Sequence, residues 1–264
     1  MTVIRLTQNR ELKPLNIWNW TLPAWVVRDT SGKAINVCPQ AGACINVCYA
    51  RNGTFNFPRV KAAHIRNLEM IRSDLNSWMT TMMNELTKSK FRPRRQKILP
   101  RLPRSHLSSE VAALLDEGSA CIRIHDSGDF FSTEYLIAWL TIAISTPDVL
   151  FYCYTKQVGL FKALVEPNPP SNFLWCYSLG GREDTLVNKA QDRHVDVFID
   201  REQLRAAGYF DQEEHDLLAV VSASNCIGIV ANNIPAYRKR MAGRSFSRME
   251  HELKRVRHAL SNTR

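Results

Sequence analysis

From residue 121 onward the chain repeats one pattern: a short apolar run, a small or polar break, then a helical stretch. Runs of this kind fall at 121–125, 149–154, 172–177, 195–199 and 217–221. They are short and rich in β-branched and aromatic residues, which is the signature of buried strands. Between them, Ser132 with Glu134 in the first turn opens a helix predicted through Ile144. A second helix is expected near 157–165 and a third opens at Asp200. Consecutive parallel strands need a crossover, and helices supply it, so this alternation demands a parallel sheet. The expectation is one α/β domain over 1–264, built as a full or partial parallel (β/α) barrel.

In such sheets functional groups collect at the carboxyl ends of the strands. Those ends read His125-Asp126-Ser127-Gly128-Asp129, then Thr155-Lys156, then Ser178-Leu179-Gly180-Gly181. His125, Asp126 and Asp129 could ligate a metal, exchange protons or hold an amine. Asp129 and Ser132 are also good helix-capping residues, so a purely structural role is open to them. Thr155 and Lys156 either touch a ligand or begin the next helix.

The first half is less regular. Residues 1–37 carry Trp18, Trp20 and Trp25, while Pro14 and Pro23 oppose a long helix. From Pro58 to about Lys90 a single helix is predicted, because Val60, His64, Leu68, Ile71, Leu75, Trp78, Met82 and Leu86 recur at steps of three and four. Met70, Met79 and Met83 join Trp78 and Met82 as core or as a surface for a partner helix. No apolar run is long enough for a secretory signal or a membrane span, so the chain is expected in the cytoplasm, with no membrane partner.

Thiols there stay reduced, which makes the seven cysteines candidate ligands or core residues. Cys121, Cys153, Cys176 and Cys226 sit far apart inside apolar runs. Cys38, Cys44 and Cys48 share one window with the spacing C-x5-C-x3-C. Ala41-Gly42-Ala43 between the first two lets the backbone wrap closely and aim N–H groups at sulfur, which suits a [4Fe–4S] cluster. Zinc is the alternative, although only the x3 spacing fits a zinc knuckle. Three small buried residues near a turn would need neither metal. Three cysteines leave one iron of a cluster without a protein thiolate, and either a small molecule or Cys226 could close the site.

Lys and Arg number 35 against 25 Asp and Glu, a formal charge of +10. The surplus has two addresses. Residues 88–104, overlapping a proline-punctuated basic loop at 91–106, hold eight Lys or Arg and no acid; residues 238–264, a basic helical tail with its last helix near 246–260, hold nine against two. A field this uneven raises local phosphate concentration, so a nucleic acid or nucleotide is the expected partner; a solubility face is the other reading.

Leu22-Pro-Ala-Trp25, the Cys-Pro-x-Ala-Gly-x-Cys-x3-Cys-Tyr-Ala of 38–50, Arg123-Ile-His-Asp-Ser-Gly-Asp-Phe-Phe-Ser132 with Glu134, Tyr135 and Trp139, and Phe151-x-x-Tyr-Thr-Lys156 resemble the phage and plasmid family called gene product 88. The resemblance covers about residues 15–160 and implies no activity. The layout is more distantly similar to radical S-adenosylmethionine enzymes. That likeness would place Ser127, Gly128 and Asp129 where a methionine amine is held, and Ser178 to Gly181, including Gly180, near a ribose. Their usual spacing is C-x3-C-x2-C with an aromatic before the last cysteine, whereas here Tyr49 follows it. Three readings follow: a cluster-bearing enzyme acting on a nucleotide or nucleic acid with S-adenosylmethionine; a DNA- or RNA-binding protein of a mobile element whose cluster is structural or redox-sensing; and a zinc-stabilised interaction module.

Overall fold

In the computed structural model, which describes residues 3–9, 12–29, 31–94 and 104–261, seven strands join in one parallel sheet. They are β1 (Ile17–Trp20), β4 (Cys121–Ile124), β5 (Leu150–Thr155), β6 (Phe173–Ser178), β7 (His194–Phe198), β9 (Cys226–Val230) and the short β8 (Phe210–Asp211), in the spatial order β1-β4-β5-β6-β7-β9-β8. A separate hairpin pairs β2 (Val26–Arg28) with β3 (Ala34–Asn36). From β1 to β7 these strands lie in chain order, so their carboxyl-end loops form one row; the order reverses only at the far edge, where β9 inserts between β7 and β8. Among the described residues β1 and β8 do not pair, so the sheet is open rather than a closed barrel. Thr7 bridges Asn19 and satisfies part of the β1 edge.

Strand alternation separates two cores. Trp20, Ile122, Ile124, Phe151, Cys153 and Phe173 pack against α1 (Pro58–Ser73), α2 (Leu75–Leu86), α4 (Thr133–Ser145) and α5 (Val158–Leu164). Ile17, Cys121, Leu150, Tyr152, Cys176, Val195 and Ile227 face α3 (Ser109–Glu117) and α7 (Leu218–Val221). Trp78 and Met82 are buried, which places the methionine-rich stripe largely in the core. A third cluster joins the cysteine segment to α8 (Pro235–Met241) and α9 (Phe246–Ser261), whereas α6 (Arg201–Ala206) packs beside β8 and β9.

Several expectations change. The single helix over 58–90 breaks at Asp74, whose extended backbone and side-chain bond from the Ser77 N–H (2.9 Å) make it the N-cap of α2. The strand expected at 217–221 is the helical turn α7, which buries Leu218 to Val221. The strand is instead β9, obscured in the sequence by Gly228. That glycine is required because a Cβ there would lie 2.2 Å from Leu204 Cγ. β1 lies in the tryptophan-rich segment, where Trp18 and Asn19 interrupt an apolar pattern. Residues 95–103, the middle of the basic loop, lie outside the described residues.

Gly228→Ala is expected to cost about 1–3 kcal/mol in chemical denaturation, as overpacking does. Combining it with Leu204→Ala should return part of that loss; no rescue would mean that the close approach of α6 is not the constraint.

Candidate functional site

The cysteine segment lies across the carboxyl ends of β4 and β6, its backbone paired on several sides. Asp129 N–H donates to Val37 O (2.8 Å), Arg182 N–H to Gln40 O (2.8 Å) and Cys44 N–H to Gly180 O (3.3 Å), while Ala41 bridges Gly181. Tyr49, next to Cys48, donates to the Asp126 carbonyl and approaches its carboxylate at 3.2 Å. The segment therefore rests on the strand-end loops that the sequence singles out.

All three thiols are half-buried and reduced. Trp25 N–H donates to Cys38 Sγ (3.3 Å), and the nearby backbone of Gly42 and of Ala50 favours the thiolate forms of Cys44 and Cys48. Burial pushes each thiol above its ordinary pKa, and the charges of the three also act on one another. Lys156 opposes that rise at Cys44 and Cys48, and Arg51 opposes it at Cys48. Among the described residues no group of three His, Cys, Asp or Glu side chains has the geometry of a single ion site. One tetrahedral zinc would hold its sulfurs about 3.8 Å apart, given Zn–S near 2.3 Å. A cluster binds each thiolate to a different iron and needs a wider triangle.

Lys156 Nζ donates to Ser178 Oγ (2.6 Å), Ser178 O (3.0 Å) and Leu179 O (3.2 Å), which uses all three of its donors. Asp129 is buried and accepts from Thr155 Oγ1 (2.7 Å), Lys156 N–H (2.9 Å) and Phe130 N–H (2.8 Å). Burial raises its pKa against those bonds. Ser127 Oγ donates to Leu22 O, and Gly128, at φ +87°, leaves no room for a Cβ against Leu22. The N–H groups of Gly180 and Gly181 both donate to Asp184 (2.8 Å each). Asp129, Thr155, Lys156, Ser178 and Gly180 are thus brought together beside the cysteines, bonded mainly to protein.

Two of the expected residues lie elsewhere. His125 is enclosed by Phe130 and Tyr135 and bonds the Tyr135 hydroxyl at 2.9 Å, and burial lowers its pKa to about 3. Cys226 starts β9, at the amino end of the sheet opposite the cysteine segment, with its thiol near Lys189 O.

Other residues at this end are not evident in the sequence. Glu250 of α9 is 1% exposed and accepts from Ala43 N–H at 2.6 Å. A Cβ on Gly42 would lie 2.2 Å from that carboxylate oxygen. Tyr237 of α8 donates to Cys48 O (2.9 Å). On the sheet face, Arg123 lies 3.5 Å from both Asp126 and Asp216, and Asp216 also accepts from the Tyr152 hydroxyl. Burial works against the Arg123 charge, but the two aspartates outweigh it and raise its pKa. A charged residue within Cys-Ile-Arg-Ile was the available signal for this cluster.

The fold and site define a parallel α/β protein with a three-cysteine loop seated over its strand ends. The family model described as gene product 88 matches residues 3–258, and the chain belongs to that family. It is similar to the Gene 88 proteins of Mycobacterium phages L5 and D29, each 28% identical over 120 residues, 45% of this chain and 42% of theirs. The matched region thus spans under half the length of these curated relatives. No solved structure matches. Among the described residues, no helix is long and apolar enough to cross a membrane.

Two outcomes test this geometry. Gly42→Ala should displace the Glu250 carboxylate, lower stability by about 1–3 kcal/mol and speed alkylation of Cys44. An unchanged alkylation rate would mean that Glu250 does not hold the loop. His125 stays neutral when folded, whereas the unfolded chain protonates it below about 6.5. Stability is therefore lost as pH falls from that value towards the folded pKa of about 3. Between pH 7.5 and 5.5 the His125 share of the loss is about 1.4 kcal/mol. His125→Asn, a residue tolerant of the observed φ of +71°, should flatten the pH dependence of denaturation by that amount.

Proposed function

We propose that this protein carries a [4Fe–4S] cluster on Cys38, Cys44 and Cys48, and that its open sheet is a partial (β/α) barrel with the layout of a radical S-adenosylmethionine enzyme, acting on a nucleotide or nucleic acid. The supporting observation is the loop itself: three thiols over the strand ends, Cys38 accepting the Trp25 N–H and the backbone beside Cys44 and Cys48 favouring their thiolates, as in cluster sites. Bound there, a cluster would supply one-electron chemistry through the iron that lacks a protein thiolate. Cys226 lies too far along the sheet to serve as that ligand. Lys156 would place a fixed positive charge beside the thiolates, anchored on Ser178 and Leu179. Asp126, Arg123 and Tyr49 would form the polar wall beside Cys48.

The second reading is a DNA- or RNA-binding protein of a mobile element whose cluster is structural or redox-sensing. The engagement of Asp129 favours it, since three protein donors occupy most of the acceptor sites of the carboxylate that would otherwise hold a methionine amine.

Anaerobic purification with iron and sulfide analysis is expected to give about four irons per chain and a broad visible absorption. Cys38→Ala, Cys44→Ala and Cys48→Ala should each lose it, and Cys226→Ala should keep it. A colourless, zinc-loaded protein would overturn the cluster. Reduced protein that releases deoxyadenosine and methionine from S-adenosylmethionine supports the enzyme; release of neither, with the cluster intact, leaves the binding protein.

A further inference from the structure

Three of the tail's arginines are paired with carboxylates. Arg244 and Arg248 pair with Glu252 (2.7 and 3.3 Å), and Arg257 reaches Glu250 (3.3 Å). Two arginines beside the cysteines differ. Arg51, three residues after Cys48, stacks over the Trp25 ring (4.8 Å to its centroid) and donates to Ile45 O at 3.3 Å. Arg240 of α8 lies over the Tyr237 ring (5.9 Å) and donates to Asn46 O at 2.7 Å. Both are exposed, and among the described residues neither pairs with a carboxylate.

The two arrangements match although they come from opposite ends of the chain. Each guanidinium spends one N–H on a carbonyl of the same short turn, Ala43–Val47, and is steadied by an aromatic face. Both cations are thus anchored on one turn, and the charges of both act on the Tyr237 hydroxyl between them and Cys48. A guanidinium has five N–H donors, so most remain unused. Fork-shaped donors that are positioned, uncompensated and open to water are what phosphate oxygens select. An open pair of cations suits a strand with repeated phosphates better than a single enclosed phosphate.

We infer that Arg51 and Arg240 form a phosphate-contacting pair that seats a nucleic-acid strand across the cysteine loop. The inference rests on the proposed nucleic-acid partner and names where that partner lies. It needs no cluster.

The test is fluorescence anisotropy of labelled single-stranded and duplex oligonucleotides, DNA and RNA, across salt, with the full chain. Arg51→Gln and Arg240→Gln should each reduce the slope of log K against log salt by about 0.7 on single strands, or 0.9 on duplex. Near 0.1 M salt that is about a fivefold loss of affinity on single strands for each variant. Lys13→Gln, exposed at the amino end of the sheet, should leave the slope unchanged. Arg51→Lys and Arg240→Lys should retain most of it, which separates lost charge from a disturbed loop. A double Gln variant that binds with the wild-type slope overturns the pair while leaving the nucleic-acid partner standing. Wild-type protein that binds no oligonucleotide overturns both. Displacement of the strand by equimolar mononucleotide would also overturn the inference, in favour of a single-phosphate site.

Discussion

The arrangement depends on placing an irregular, cysteine-bearing segment over the end of a parallel sheet without stranding its backbone. An unpaired buried N–H or carbonyl costs about as much as a lost hydrogen bond. Here the strand-end loops take up the bonds: Gly180 O receives Cys44 N–H, Val37 O receives Asp129 N–H, and Gln40 O receives Arg182 N–H. Those loops are fixed in turn by carboxylates. Asp129 ties the β4 loop to the end of β5, and Asp184 holds the two glycine N–H groups after β6. The same carboxylates raise the cost of thiolate charge on Cys44, and Lys156 offsets it from between them. Scaffold and electrostatics are therefore set by the same few side chains.

How much of this the sequence discloses depends on whether a residue's neighbours lie close along the chain. Helix α4 is legible because Ser132 caps it locally, its side-chain oxygen accepting from the Tyr135 N–H, and its apolar residues follow at helical spacing. The cysteine segment stands out by its spacing alone. Strand β9 does not, because Gly228 answers to Leu204, a residue on another element. Tertiary packing likewise decides α7, whose Val220 and Val221 favour a strand by propensity but are buried in a single helical turn.

The strand-end residues show a subtler limit. Their positions were readable, since polar groups after parallel strands gather at one end of the sheet. Their partners were not. His125 looks in sequence like an acid–base group beside Asp126, yet its side chain turns into an aromatic core and remains neutral. Asp129 looks like a free carboxylate but is consumed by the next strand's loop. Arg123, a single charge in an apolar strand, instead organises Asp126 and Asp216 on the sheet face.

The C-terminal tail shows why net charge is a poor guide to where charge acts. Glu250 is 207 residues from Ala43 and sits on a basic helix, so in sequence it reads as a solvated acid. In the fold it is the group that fastens that helix to the cysteine loop. Asp196 of β7 fastens the same end, accepting the N–H and hydroxyl of Ser247 in the first turn of α9. A carboxylate is favoured there because unpaired N–H groups and the helix dipole present positive charge. The acids at this end thus orient α9 and pair with Arg244, Arg248 and Arg257. An anion drawn by the tail's overall field would also meet Arg51 and Arg240 at the rim of the cysteine loop, which net charge alone does not locate.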